Sequence, residues 1–137
     1  MNRINYFYFL ETLGLSANNL IGTFPIGMSK IIGLKMLSIG YNNLHGNLPD
    51  DFFSTTSLKS ASLSSNQFSG PFPKVVPSNI ELYEFFASYN LFTGTLPGWI
   101  SEAKYLKIFF VHHNLFSGTI SDNVLSLFRL ERCELKS

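Results

Sequence analysis

Few side chains in this 137-residue chain are placed to do chemistry, and three groups exhaust the candidates: His112-His113, Asp50-Asp51 and Cys133. An imidazole pair invites a metal, but zinc wants four ligands and no cysteine or acid recurs at a fitting spacing. His112 and His113 therefore read as a solvated, pH-responsive contact pair. Two carboxylates could share acid–base work. Adjacent residues on a loop need not converge, however, and no nucleophile or base accompanies Asp50 and Asp51, so they read as solvating the turn after Pro49. Cys133 is the sole cysteine and cannot close an internal disulfide; it falls in a column of apolar residues and is expected to be a small buried hydrophobe. No phosphate loop, nucleophile elbow, kinase signature or metal-ligand spacing occurs. The sequence supports neither catalysis nor a cofactor.

What must position these residues is a repeat. Leu10, Leu34, Leu58, Leu82, Leu106 and Leu130 follow one another at intervals of 24 residues. Asn18, Asn42, Asn66, Asn90 and Asn114 keep the same period, as do Gly22, Gly46, Gly70, Gly94 and Gly118. A fixed period of this size means one supersecondary unit stacked on copies of itself, with contacts mainly between neighbours.

Each column has a physical reason. The copies align as L-x-x-L-x-L-x-x-N-x-L-x-G-x-L-P-x-x-h, where h is apolar, as in LETLGLSANNLIGTFP and LKMLSIGYNNLHGNLP. The last two apolar positions of L-x-x-L-x-L alternate with polar ones, the period of a half-buried strand. They hold Leu13, Leu37, Ala61, Phe85, Phe109 and Cys133, then Leu15, Ile39, Leu63, Ala87, Val111 and Leu135. Asn follows because its amide can donate to and accept from the backbone where the chain turns away, coil after coil. The residue before each Pro is biased to extended backbone. A further inward column is expected at Met28, Phe52, Val76, Ile100 and Val124. Short helical turns are expected before the next Leu, least of all in the third copy, which carries Pro77 and Asn79.

This pattern resembles the plant-type leucine-rich repeat over essentially the whole chain, with Gly-x-apolar-Pro as its most specific element. The resemblance implies an α/β solenoid: a right-handed leucine-rich-repeat superhelix with a parallel concave β-sheet, a mostly irregular convex side, and a second short sheet at the Gly-x-apolar-Pro segment. One domain covers 1–137, made of a partial repeat 1–9, repeats 10–33, 34–57, 58–81, 82–105 and 106–129, and a partial repeat 130–137. Ser121 stands where Pro is expected, and the column Ile31, Thr55, Asn79, Ala103 and Leu127 is eroded.

In that fold the non-core strand positions line the concave face, in columns about 4.8 Å apart from coil to coil. The first three copies offer mostly small residues there, with Tyr41 an exception. The fourth and fifth present Glu84, Phe86 and Tyr89, then Ile108, Phe110, His112 and His113. Aromatics on an open sheet have no folding reason to be there and mark a ligand-contact surface; the plainer reading is that Phe86 and Phe110 only stack on each other. Trp99 is expected on the convex side, covering the variable segment.

The resemblance implies a non-catalytic recognition module of a receptor-like protein or receptor-like kinase, on the extracellular side of the plasma membrane, with a protein or peptide ligand and a co-receptor as partners. Three other readings stay open: an inhibitor of the polygalacturonase-inhibitor type, an intracellular scaffold, and a truncated gene remnant. The net charge of +1 argues against nucleic acid. The longest nearly apolar stretch, 105–111, contains Lys107 and is too short to span a bilayer. Both ends cut through a repeat, so the chain reads as a fragment whose uncapped ends favour self-association.

Overall fold

The computed structural model describes residues 7, 9–54, 57–74, 76–77, 79–120, 122 and 129–135. The expectations for Thr55, Ser121, Val124 and Leu127 lie outside the described residues, as does nearly all of 1–9.

Two parallel sheets run the length of the solenoid. The first contains β1 (Thr12–Gly14), β3 (Met36–Ser38), β5 (Ser60–Ser62), β7 (Glu84–Phe86), β9 (Ile108–Phe110) and β11 (Arg132–Glu134), in that spatial order. Their register is the sequence period itself: Leu13 pairs with Leu37, Leu37 with Ala61, Ala61 with Phe85, Phe85 with Phe109, and Phe109 with Cys133. The second sheet contains β2 (Ile21–Thr23), β4 (Asn43–Asn47), β6 (Gln67–Gly70), β8 (Leu91–Gly94) and β10 (Leu115–Phe116). It starts just after the ladder asparagine and ends before the proline, so that in the first four coils the strand takes in the glycine of the Gly-x-apolar-Pro segment, where the second sheet is expected. The reason is local: the chain turns at one residue and re-extends at once.

That turning residue was not legible beforehand. Ala17, Tyr41, Ser65, Tyr89 and His113 all have φ between 52° and 58°, so one residue per coil bends through the left-handed region without glycine's help. The asparagine that follows makes the bend tenable. Asn42 donates from Nδ2 to the carbonyls of Leu15, Ile39 and Gly40, and its Oδ1 accepts the amide of Leu20 at 3.0 Å. Asn66, Asn90 and Asn114 repeat this with the coil before each. Asn18 bonds only within its own coil, to Leu15 and Ser16. The side chains thus do what backbone pairing cannot do at a turn, satisfying buried amides between coils.

Glycine is required where coils meet most closely. At Gly70, φ is +75° and a Cβ would stand 2.5 Å from Asn47 Oδ1.

The core is an aromatic column capped by aliphatics. Phe53, Phe68, Phe85, Phe92 and Phe109 are fully buried, and Phe85 meets Phe72 edge-on at 5.5 Å. Short 3-10 helices at Met28–Lys30 and Gly98–Glu102 close the variable side. Trp99 does more than cover it. The indole lies in the core, edge-on to Phe53 at 4.9 Å, with Nε1 donating to the Pro73 carbonyl at 2.9 Å.

Cys133, expected to be buried, is exposed instead. It occupies the apolar column, but β11 pairs with β9 alone among the described strands, so no further coil packs over it. Among the described residues, no helix is long and apolar enough to cross a membrane.

Candidate functional site

The strand positions that alternate with the core build the candidate site. In the column containing Thr12 and Met36, β7 presents Glu84, β9 Ile108 and β11 Arg132. In the next outward column the partners are Ser62, Phe86, Phe110 and Glu134. Phe86 and Phe110 are half-buried and meet edge-on, ring centres 5.6 Å apart. The Arg132 guanidinium lies over the Phe110 ring at 5.0 Å, a cation–π contact. The pair is therefore a preformed apolar floor with a cation on one side. On the other side, Glu84 accepts a hydrogen bond from Ser60 Oγ at 2.9 Å.

The bends extend this floor. Tyr89 stacks flat on His113 at 4.3 Å and meets His112 edge-on at 5.3 Å. His112 in turn lies 6.1 Å from the Phe110 ring. Its Nδ1 is 3.0 Å from Ser88 Oγ and 3.1 Å from Glu134 Oε2. Serine, histidine and carboxylate in contact could suggest a nucleophilic relay, but both partners meet the same ring nitrogen. A relay needs the base to use one nitrogen for the hydroxyl and the other for the acid. This arrangement cannot pass a proton along.

Six of the proposed contact residues, Phe86, Tyr89, Ile108, Phe110, His112 and His113, thus form one surface across coils four and five, with Glu84 at its edge. Tyr41 does not join them. It projects from coil two, 66% exposed, with Ser65 of coil three between it and Tyr89. Two further contributors, Arg132 and Glu134, carry no chemical signal in the sequence, but counting one period on from Ile108 and Phe110 places them on the floor. Ser88, buried beneath His112, carries no sequence signal beyond its column.

The rim is neutral. Lys35 meets Glu11 at 2.6 Å and Lys107 meets Glu131 at 2.9 Å, one period apart in each case. The Glu131 hydrogen bond and charge hold the Lys107 ammonium above its ordinary value. Among the described residues, no three His, Cys, Asp or Glu side chains gather in a metal-holding cluster.

A regular parallel solenoid whose open face carries one aromatic patch is the architecture of a leucine-rich-repeat recognition scaffold. The comparisons agree. The family model described as Leucine Rich Repeat matches residues 33–55. Among solved structures, the plant peptide hormone receptor RGFR1 in complex with RGF2 is 30% identical with a TM-score of 0.88, covering 93% of this chain and 21% of that one. The receptor kinase HAESA ectodomain from Arabidopsis, in complex with an extended IDA peptide hormone, is 26% identical with a TM-score of 0.83, covering 88% and 20%. The SOBIR1 receptor kinase ectodomain from Arabidopsis thaliana is 28% identical with a TM-score of 0.82, covering 90% and 68%. No curated protein sequence matches. The chain is built of plant-type leucine-rich repeats, and it spans about a fifth of the length of the hormone-receptor ectodomains it matches.

Proposed function

We propose that this chain is a non-catalytic recognition module that binds a protein or peptide segment on the concave face of coils four to six. One observation carries the reading: the Phe86–Phe110 floor, open to the concave side and flanked by Arg132, Tyr89 and the two histidines, is side-chain surface that the solenoid does not need for its own packing. Exposed aromatics joined to an arginine are the usual composition of a binding hot spot. Rigidity helps, because a floor already in place loses little conformational entropy on binding. Solved relatives of this shape carry peptide hormones, which supports a peptide or protein segment as the partner class.

The test is selection of peptides from a displayed random library on the 137-residue chain, followed by titration against variants. Phe110→Ala and Phe86→Ala should weaken the selected peptides by more than ~1 kcal/mol, while Ile21→Ala, on the second sheet, should not. Peptides that bind all three variants alike would move the site elsewhere.

A further inference from the structure

We propose that Glu84 selects the ligand of the concave face: its carboxylate takes the ammonium or guanidinium of a basic side chain, from an extended segment whose next side chain on that face is apolar. This rests on the concave-face reading and names the ligand chemistry that face prefers.

Glu84 is a charge that the fold leaves unmatched. It is half-buried on β7, and among the described residues its carboxylate meets Ser60 Oγ at 2.9 Å and no cation. The lysines that flank the strands are matched elsewhere: Lys35 to Glu11, Lys59 to Glu81 at 3.5 Å, and Lys107 to Glu131. Taking a carboxylate partly out of water without a counter-charge costs free energy. Other coils show that folding does not call for an acid here, since the same column carries Met36, Ser60 and Ile108. The charge at Glu84 is therefore available to a partner.

The surroundings define what fits. Ile108 lies beside Glu84 in the column, and Phe86 follows it on the same face of β7. A lysine or arginine can lay its methylene stem along these two side chains while its head meets the carboxylate. Neighbouring coils are about 4.8 Å apart, and two residues of extended chain advance about 6.8 Å. A segment running along the solenoid axis, with its basic side chain at Glu84, thus sets the second residue onward at coil five. There the Phe86–Phe110 floor receives an apolar group. Arg132 orders the two ends. It stands in the same column two coils beyond Glu84, with its side chain 65% exposed, and repels a basic group placed there.

A displayed library of random dodecapeptides, panned on the 137-residue chain, tests this. Selected peptides should carry Lys or Arg two positions from an apolar residue; Asp or Glu enriched at that place would overturn the proposal. A double-mutant cycle then locates the contact. Glu84→Gln keeps an acceptor for Ser60 and removes the charge, and should weaken a selected peptide about tenfold, the worth of one charge-assisted hydrogen bond. Replacing the peptide's basic residue by Met should cost as much on the native chain and almost nothing on Glu84→Gln. Equal losses on both chains, or unchanged affinity in Glu84→Gln, would overturn the proposal. Panning on Arg132→Glu should yield peptides with a second basic residue beyond the apolar one, and the same peptides as before would overturn the ordering. Failure to enrich any peptide, or peptides indifferent to Phe110→Ala, would instead sink the concave-face reading, and this inference with it.

Discussion

Asn90 Oδ1 accepts the amide of Phe68 at 3.0 Å, tying a turn in coil four to a buried strand in coil three. The same side chain donates to Leu63, 27 residues earlier, and to Ala87 and Ser88 in its own coil. Truncation leaves the Phe68 amide and several carbonyls without partners in a place water does not reach. Asn90→Ala should therefore cost ~3 kcal/mol, at about 1–3 kcal/mol for each buried group left unpaired. Asn18→Ala, which loses two exposed bonds within one coil, should cost less than ~1 kcal/mol. Urea unfolding followed by the fluorescence of Trp99, the one tryptophan, measures both. Equal losses would mean that the ladder does not couple coils.

Phe85 and Phe86 are chain neighbours with opposite duties. Phe85 is fully buried among Phe53, Phe72, Trp99 and Phe109, and its replacement by Ala should cost about 3–5 kcal/mol. Phe86 has an edge-on partner on one side and the open face on the other, so Phe86→Ala should cost ~1 kcal/mol in stability. Thermal unfolding of the two variants separates them. A Phe86→Ala loss as large as that at Phe85 would make the floor a structural element and remove the argument for a binding surface.

The spacing of the leucines and asparagines is enough to derive the strand register, because equal coils can stack in only one way that keeps every apolar column inside. Phe86, Phe110, Tyr89, His112 and His113 could be grouped for the same reason. Other features had no periodic mark. The left-handed bend falls on Ala17, Tyr41, Ser65, Tyr89 and His113, residues with no common chemistry, since the adjoining Asn rather than the bending residue supplies the stabilising bonds. The exposure of Cys133 depends on what packs over its column, which column identity alone does not state. The roles of Arg132 and Glu134 emerge only when their contacts with Phe110 and His112 are seen.

Cys133 should be a slow nucleophile despite its exposure. Desolvation against coil five, and secondly the Glu134 carboxylate, raise its thiol above the ordinary value. The thiolate is the reactive form, so alkylation by iodoacetamide at about pH 8 should run more slowly in the folded chain than in urea. The linkage has a definite sign. With the folded value above the unfolded one, whatever stability this group contributes is intact below about pH 8.5 and is lost as pH rises through the folded value. Faster alkylation in the folded state would contradict this account.

Coil one carries the clearest cause for self-association. Leu15 and Leu20 are 38% and 39% exposed, whereas Ile39 and Leu44, their equivalents in coil two, are 2% and 7% exposed. Phe9 and Ile21 nearby are 96% and 81% exposed, so several large apolar side chains share one end of the described solenoid. Burying such surface against a second copy is favourable at about 25 cal/mol per Å². The 137-residue chain should sediment as a concentration-dependent mixture, with an apparent melting temperature that rises with concentration. Replacing Leu15 and Leu20 together by Asn should weaken association by about tenfold or more while costing little stability, because both positions already meet water. A chain that stays monomeric at high concentration and melts in one sharp, concentration-independent transition would rule this out.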